Sequence, residues 1–410
     1  MTAMQPTSLP QYRFDRRRDF LVSLVIGLIA LAIGAIGVFR VLFAGNHGNL
    51  TSYVPWGLLV SVYVYLVWME VGMILGYYAL RHVVRVDGIE RLGPVIVMAA
   101  IAALLAALLI IGMDLGHPFR AFRAFYDPNP RSMMTWMIWL HTFYLGLLIV
   151  EFWAYHNDYK NLIKWLNWVN IPAGVALIGV IGGLFGVVAA RPFWNGSVLP
   201  MAFFMSSLIA GTGLIIILHL LFSPTAGTPR YAQTAYELAR FFMWAILLGI
   251  LAAAANLLIT AYPSVPAKAE ALNLMLFGPY WWSMWILHLL LGTLVPLVLL
   301  VAFRRNLVAI GIAAALMVLT FVVVPLNIVI PGLAYPSPDL YNLGQAFQDA
   351  YLHFNYVPAI NEWLVVLFGV GLALTLFAVA YRVLLYGYYG QLARKEAGLA
   401  SSSDLDHPTA

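Results

Sequence analysis

The sequence predicts an all-α integral membrane protein with about ten transmembrane helices, arranged as two four-helix bundles plus two peripheral helices. Of the 410 residues, 63% are hydrophobic and only 10% are charged, whereas soluble domains carry about 25% charged residues. The mean hydropathy is +0.87. Ten separate stretches are apolar and long enough to cross a bilayer, which takes about 20 residues. The excess of apolar side chains must therefore face lipid.

The ten predicted helices follow one another along most of the chain. In order, helices 1 to 10 cover roughly 20–43, 56–80, 93–113, 133–155, 167–189, 198–222, 238–260, 280–303, 307–330 and 359–386. The Gly and Pro residues inside them are tolerated in membrane helices, so they do not by themselves mark breaks.

Positive charge predicts the orientation, because loops rich in Lys and Arg stay in the cytoplasm. Sixteen basic residues fall on one side of the membrane: Arg13, Arg16, Arg17, Arg18, Arg81, Arg85, Arg91, Lys160, Lys164, Arg230, Arg240, Arg304, Arg305, Arg382, Arg394 and Lys395. The other side holds Arg40, Arg120, Arg123, Arg131, Arg191 and Lys268. We therefore expect a multi-pass protein of the bacterial inner (cytoplasmic) membrane, with both termini in the cytoplasm.

The helices and the orientation divide the chain into segments. We expect a cytoplasmic N-terminal segment (1–19), peripheral helix 1 with an outer loop (20–55), a first four-helix bundle (56–197), a second four-helix bundle (198–332), an outer interfacial loop (333–358), peripheral helix 10 (359–386) and a cytoplasmic tail (387–410).

Composition excludes several classes of function. The chain has no cysteine, so it holds neither a disulfide nor an iron–sulfur cluster on its own thiolates. The net charge of +5 is too small and too scattered for nucleic acid, and we predict no metal site. The partner that composition does require is membrane lipid.

Ionisable residues inside the membrane are costly and therefore indicate function. The outer layer consists of Asp114, Tyr63, His141 and His288. Both histidines lie about 12 Å below the outer surface, because each is eight residues into its helix. Glu70 and Glu151 form an inner layer. Each group also has a structural interpretation: a histidine can bond a neighbouring helix, Glu70 can pair with an arginine, and Glu151 can extend to the cytoplasmic surface. Together they describe an outer pocket coupled to a proton path.

Helices 4 and 8 resemble each other. Helix 4 contains Trp136, Trp139, His141 and Gly146, and helix 8 contains Trp282, Trp285, His288 and Gly292 in nearly the same spacing, with a shift of one residue at the histidine. The two helices are four apart in the chain. This internal similarity predicts that helices 2–5 and 6–9 form two related bundles.

The loop DLGHPFRAFRAFYDPNPRS (114–132) is the most distinctive outer stretch. Gly116 and Pro118 suit the end of a helix, and Ser132 suits the N-cap of helix 4. Asp114 can pair with Arg120 or Arg123 in this loop.

These residues carry a family resemblance. The stretch from Asp114 to Arg120, followed by Asn129-Pro-Arg-Ser132 and Trp136, resembles the hallmark loop of the NrfD-like family, also called the polysulfide reductase membrane subunit family. Pro55-Trp56-Gly57-Leu58 and Arg191-Pro-Phe-Trp-Asn195-Gly are similar to that family too. The resemblance covers most of helices 2–9, and ten helices match the larger type.

The resemblance implies a quinone-binding membrane subunit of a respiratory oxidoreductase complex. Such subunits carry no haem, bind menaquinone or ubiquinone near the outer face, and exchange electrons with a ferredoxin-like iron–sulfur subunit, often beside a molybdopterin catalytic subunit. On this interpretation, the quinone is contacted by Tyr63, Asp114 and His141. Its pocket is completed by Ser61, Trp136, Trp139 and Tyr144. Glu70 and Glu151 form the proton path, and Arg120, Arg123 and Arg191 dock the partner.

One departure and two alternatives accompany this interpretation. The shorter polysulfide reductase type has Asn and His in its first core helix, where this chain has Ser61, Tyr63 and Tyr65. A haem b-containing cytochrome b-type subunit would use His141 and His288 as ligands of one haem. A secondary transporter would account for the repeat, although charges in the core are sparse.

Overall fold

The computed structural model describes residues 17–223, 225–226, 228–262, 265–335 and 354–385. Segment 1–16, most of the 331–358 loop and the tail 387–410, with Arg13, Arg16, Arg394 and Lys395, lie outside the described residues. Within the described ranges all regular structure is helical, and ten helices are long and apolar enough to cross a membrane. The predicted fold class is confirmed.

The ten spanning helices, named α1 to α10, are close to their predicted positions. The first seven are α1 (Arg17–Ala44), α2 (Leu58–Tyr78), α3 (Gly93–Asp114), α4 (Met133–His156), α5 (Lys160–Gly186), α6 (Leu199–Phe222) and α7 (Pro229–Ala261). The last three are α8 (a π-helical part Ser283–Leu294, then Val295–Ala302), α9 (Leu307–Thr320 and Val323–Ala334) and α10 (Ile360–Ala380). α2 and α10 continue as π-helix over Ala79–Val84 and Tyr381–Leu385, and short helices cover Ile89–Leu92, Pro118–Phe122, Arg123–Tyr126 and Pro266–Phe277.

Two helices begin earlier than hydropathy predicts. α5 starts at Lys160 instead of 167, and α7 starts at Pro229 instead of 238. Their first turns carry polar side chains, so these turns extend beyond the hydrocarbon layer. Hydropathy detects only the part of a helix that lies in lipid.

The helices pack in two groups of four, with two helices outside them. In the first group, α2 packs on α3 and α5, and α4 packs on the same two helices. In the second group, α6 packs on α7, α7 on α8, α8 on α9, and α9 on α6. The groups meet chiefly where α2 packs on α6. α1 packs almost entirely on α10, and α10 packs on α3. These contacts reproduce the predicted bundles and peripheral helices.

The contact between α2 and α6 depends on two glycines. A Cβ on Gly72 would collide with the carbonyl oxygen of Ser207, and a Cβ on Gly211 would collide with the backbone of Gly72 and Met73. Small residues let membrane helices approach closely where apolar burial gives no advantage over lipid. The two bundles are therefore held together backbone against backbone.

α2 is the central helix of the molecule. Every one of its 21 residues is buried, including Tyr63 and Glu70. α1 and α7, by contrast, expose most of their surface. The charge distribution predicts which end of each helix is outer and which is cytoplasmic. Polar groups on α2 have no access to lipid, so their partners must come from neighbouring helices.

Candidate functional site

A tyrosine and a histidine pair inside the first bundle. The Tyr63 hydroxyl of α2 lies 3.2 Å from Nε2 of His141 on α4, and both side chains are buried. Nδ1 of His141 lies 2.7 Å from the Met137 carbonyl oxygen, which can only accept, so Nδ1 carries a proton. In neutral histidine Nε2 then accepts the Tyr63 O–H. The structure thus fixes the tautomer of His141 through the turn of helix that precedes it.

Glu70 lies two turns below Tyr63 on the same helix. Both of its carboxylate oxygens are buried and have no hydrogen-bond partner among the described residues. No arginine pairs with it there, so the predicted structural alternative finds no support. A buried carboxyl without partners is costly as an anion, so Glu70 is suited to hold a proton.

The Glu151 carboxyl on α4 is fully buried and does not extend to the cytoplasmic surface. The Tyr78 hydroxyl lies 2.9 and 2.8 Å from its two oxygens, and the Asn170 amide donates to Oε2 at 2.6 Å. Sequence reasoning missed Tyr78 and Asn170, because neither position differs from an ordinary helix-packing residue in the sequence.

A second group of polar side chains lies toward the predicted cytoplasmic end. Tyr77 precedes Tyr78 on α2; its hydroxyl lies 3.0 Å from the Tyr155 hydroxyl and accepts from the Arg81 guanidinium at 3.0 Å. The buried Tyr144 hydroxyl has no partner among the described residues. A Cβ on Gly174 would lie 3.1 Å from Val71 and 3.2 Å from the Tyr144 hydroxyl oxygen, so this hydroxyl lies close to the turn of α2 that contains Glu70.

Asp114 ends α3 beside a small outer cavity. Its Oδ1 is buried and has no hydrogen-bond partner in the described part of the chain. The cavity, of about 320 Å³, is bounded by α1, the end of α3 and the outer loop, and His47, His117 and Arg120 contribute its polar wall. Gly112, Met113 and Gly116 lie on its α3 side. His47 and His117 were not predicted as site residues.

Three predicted pocket residues donate hydrogen bonds to the backbone. The Ser61 hydroxyl donates to the Gly57 carbonyl oxygen at 3.0 Å. The Trp136 indole donates to Pro130 O, and the Trp139 indole to Ala124 O, both at 2.8 Å. The two tryptophans therefore tie the outer loop to the start of α4.

The predicted features of the outer loop are partly present. Gly116 has φ +63°, the left-handed region that favours glycine, and follows the end of α3. Ser132 occupies the N-cap position of α4, but its side chain makes no capping hydrogen bond. Arg123 pairs with Asp127 at 3.4 Å instead of with Asp114, and because both side chains are exposed this pair contributes little.

The three predicted docking arginines differ in environment. Arg120 and Arg123 are exposed. Arg191 is half-buried and donates to the carbonyl oxygens of Leu333 and Tyr53, each at 3.3 Å. Burial lowers the pKa of Arg191 from its ordinary value. Arg191 thus holds together two outer segments of its own chain.

The motifs around Trp56 and Trp194 meet in space. Their rings stack at a centroid distance of 5.6 Å, and the Trp194 indole donates to the Ile328 carbonyl oxygen of α9 at 2.7 Å. A Cβ on Gly332 would collide with the same indole. This junction fixes the outer end of the first bundle to the second.

A further buried acid lies at the start of α10. The Glu362 carboxyl accepts from the Tyr356 hydroxyl at 2.5 Å and from the Asn49 backbone amide at 3.3 Å. Burial, aided by the Glu362 carboxylate, raises the pKa of Tyr356 above its ordinary value. Glu362 also interacts electrostatically with Asp114. Sequence analysis did not single it out, because an acid in the first turn is an ordinary helix-terminal residue.

The two predicted haem ligands differ in their surroundings. Both ring nitrogens of His141 have hydrogen-bond partners, so an iron atom would have to displace the Tyr63 hydroxyl. His288 packs edge-on against Phe321, and its Nδ1 is buried without a partner among the described residues.

Comparison with known proteins gives the family. Residues 46–336 match the polysulphide reductase NrfD family, which is well over half of the chain. The chain belongs to the NrfD family. The resemblance seen in the outer motifs is confirmed, and the NrfD region runs from the loop after α1 to the end of α9.

Several relatives of this NrfD protein match along nearly all of its length. A selenate reductase subunit of Mesobacillus selenatarsenatis is 26% identical over 402 residues, which cover 88% of this chain and 92% of that protein. The Hdr-like menaquinol oxidoreductase integral membrane subunit of Archaeoglobus fulgidus is 21% identical, covering 89% and 94%. The menaquinone reductase integral membrane subunit of Nitratidesulfovibrio vulgaris is 22% identical, covering 92% and 94%. The chain is thus a multi-pass integral membrane protein of the same type.

Proposed function

We propose that this NrfD protein is the quinone-binding membrane subunit of a respiratory oxidoreductase complex. It would pass electrons between menaquinone or ubiquinone and an iron–sulfur subunit on the outer face. Two relatives are named for menaquinol or menaquinone, and a third is a reductase subunit. The observation that carries the proposal is the buried hydrogen bond between Tyr63 and His141, a pair that can exchange protons inside the first bundle.

The outer cavity beside Asp114 fits a quinone ring. Its volume of about 320 Å³ falls at the lower end of the range for small-molecule pockets, and a tail would lie outside it. The imidazoles of His47 and His117 and the guanidinium of Arg120 offer donors to carbonyl oxygens. Asp114 does not line the cavity but follows Met113, which does, and its buried Oδ1 has no partner among the described residues.

The residues of the chain would then handle protons. A bound quinol supplies two electrons and two protons when it is oxidised. Asp114 would accept one proton at Oδ1. The second would pass through the Tyr63 hydroxyl, which gives its own proton to Nε2 of His141 and takes one from the quinol. Nε2 can accept it because Nδ1 already carries a proton, bonded to the Met137 carbonyl oxygen. Histidine suits this role because its unperturbed pKa lies near neutrality.

We further propose that the inner acids connect this site with the cytoplasm. Protons would pass from the Tyr63–His141 pair by way of Glu70, Tyr144 and Glu151 to the Tyr77, Tyr155 and Arg81 groups at the predicted cytoplasmic end. A buried carboxyl group that binds a proton and passes it to a neighbouring hydroxyl can act as an intermediate carrier in proton transfer. Such a route would couple quinone chemistry to proton movement.

The partner subunits would bind at the outer face. Arg120 and Arg123 are exposed beside the cavity and would meet an acidic surface of a ferredoxin-like iron–sulfur subunit, beside which a molybdopterin subunit would act on the terminal substrate. Arg191, bonded to Tyr53 O and Leu333 O, would support that surface from below.

The proposal is tested by purifying the complex from the native membrane under mild detergent. We expect an iron–sulfur subunit to co-purify, its clusters to be reduced by a quinol analogue, and outer-loop residues 114–132 to cross-link to it. A purified complex without iron–sulfur clusters, or with the cluster subunit only on the cytoplasmic side, would contradict the proposal.

A further inference from the structure

A second and larger cavity lies on the opposite face of α2 from Tyr63. Its volume is about 900 Å³. On α2 its wall consists of Leu58, Val62, Tyr65, Leu66 and Met69, which recur at helical spacing. Helices α3, α6, α8, α9 and α10 supply the other walls. We call this cavity the interbundle chamber, because both bundles and α10 enclose it.

The chamber runs through most of the membrane. On α10 it extends from Trp363 near the outer end to Phe377 near the cytoplasmic end, a rise of about 21 Å at 1.5 Å per residue. The hydrocarbon layer is about 30 Å thick. Leu221 and Phe222 of α6 close the cytoplasmic end with Phe377. The shape suits one long apolar chain lying along the bilayer normal.

The charge of the chamber restricts its ligand. None of the described residues that line it is charged. A phospholipid brings a phosphate that would lie at one end without a cation, which is costly away from water. The lining therefore favours an uncharged head group on an apolar tail.

Hydrogen-bond donors are concentrated at the outer end. Asn327 is buried, and its Oδ1 accepts from the Ser283 hydroxyl at 2.5 Å. Among the described residues, the sole partner of its Nδ2 is the Met284 sulfur at 3.9 Å. Sulfur is a weak acceptor, so the amide retains N–H groups for a stronger one. The Tyr280 hydroxyl has no hydrogen-bond partner among the described residues. Burial raises the pKa of Tyr280 to about 12, so it remains a donor at neutral pH.

We propose that the interbundle chamber is a second binding site for a lipid quinone, with the ring carbonyls facing Tyr280 and Asn327 and the isoprenoid tail extending toward Phe377. Carbonyl oxygens accept the two donors, and the neutral ring needs no cation. The identity of the ligand rests on the proposed function, whereas the position of the site rests on the chamber itself. The two quinones would lie on opposite faces of α2.

Photoaffinity labelling of the purified complex with an azidoquinone that carries an isoprenoid tail tests this site. We expect label on peptides containing Tyr280 and Asn327, in addition to peptides around the outer cavity. Ala373→Phe on α10 fills the chamber and should abolish the first label only. Ala253→Phe is the matched control, because Ala253 is exposed on α7 and does not line the chamber.

Two milder variants cover the case in which Ala373→Phe fails to assemble. Tyr280→Phe and Asn327→Leu each remove one donor and should weaken labelling of the chamber about tenfold, as for loss of a hydrogen bond. Tyr262→Phe, at a tyrosine with 90% exposure, should change nothing.

The outcomes separate the two proposals. Label confined to the outer cavity, with quinol turnover intact, would overturn the chamber site and leave the proposed function standing. The chamber site would also fail if native mass spectrometry found a phospholipid that Ala373→Phe removes. Absence of label everywhere, together with absence of quinol turnover, would overturn both.

Discussion

At the scale of single residues, the site combines one hydrogen-bonded pair with two carboxyl groups that have buried oxygens without a hydrogen-bond partner among the described residues. Tyr63 and His141 satisfy each other, whereas Glu70 and the Oδ1 of Asp114 have no partner among the described residues. Buried polar groups without partners are rare and require an explanation. The proposed proton transfer would account for them, because a group that exchanges protons cannot keep one fixed set of hydrogen bonds.

The first prediction concerns His141. His141→Ala or Asp114→Asn should reduce quinone-linked turnover by about 10²-fold or more, as for loss of a general acid–base group. Assembly of the complex and activity of the partner subunit with artificial dyes should persist. His288→Ala is the control, because His288 lies in the second bundle and lacks a tyrosine partner like Tyr63. If His141→Ala kept full activity and His288→Ala lost it, the quinone site would lie in the second bundle and not in the first.

The second prediction concerns the inner acids. Glu70→Gln keeps the shape of the side chain but cannot exchange a proton, so turnover should fall about tenfold or more while binding of a quinone analogue is unchanged. Glu151→Gln should act in the same way and retain its bond from Asn170. Steady-state quinol kinetics alongside fluorescence titration of the analogue would separate the two effects. Weaker binding with unchanged turnover would exclude a proton path through these acids.

Sequence analysis found the ionisable residues but not their partners. Depth counting placed Tyr63 and His141 in one layer, since position along a helix follows from residue number. It could not show that they touch, nor that Tyr78 and Asn170 bind Glu151, because neighbours across helices depend on rotation about each helix axis. The outer cavity was missed for a related reason: His47 and His117 belong to loops whose path has no periodicity.

At the scale of elements, α8 explains the shift between the two repeats. His141 follows Trp136 by five residues and His288 follows Trp282 by six, and α8 is π-helical over Ser283–Leu294. A π-helix bonds i to i+5 and so turns less per residue than an α-helix. Six π-helical residues therefore rotate a side chain about as far as five α-helical ones, and the two histidines point in related directions.

The third prediction concerns the contact of α2 with α6. Gly72→Leu should separate the bundles, because a Cβ at this position would collide with the Ser207 carbonyl oxygen; overpacking typically costs about 1–3 kcal/mol. Gly146→Leu is the control, since nothing lies within 4 Å of a Cβ there. Thermal unfolding in detergent should show a lower midpoint for Gly72→Leu alone. Equal midpoints would mean that the two bundles do not depend on this contact.

Hydropathy predicted the ten helices well because lipid imposes both their length and their composition. It placed the starts of α5 and α7 too late, at 167 and 238, because Lys160 and Arg230 lie in helical turns outside the hydrocarbon. The break in α9 between Thr320 and Val323 was also missed, since the apolar run continues through it without interruption.

At the scale of the whole molecule, charge sets the expected orientation. The fourth prediction is that reporter fusions in 81–92, 156–166 and 223–237, and at both ends of the chain, report the cytoplasm. Fusions in 114–132 and 190–197 should report the outside. The basic residues near the cytoplasmic ends determine this arrangement. A periplasmic signal from the 81–92 loop would mean that the orientation is the reverse of the predicted one and that the Tyr63–His141 pair lies on the cytoplasmic side.

The pairing of α1 with α10 affects how the protein is built. A Cβ on Gly34 would collide with Phe368, and one on Gly37 with Leu364, so α1 fits α10 and little else. Eight of the described membrane helices separate the two in the chain. During synthesis α1 therefore enters the bilayer before its partner α10 is inserted. Although α1 is made ahead of both bundles, it can pack in its final position only after they have been made.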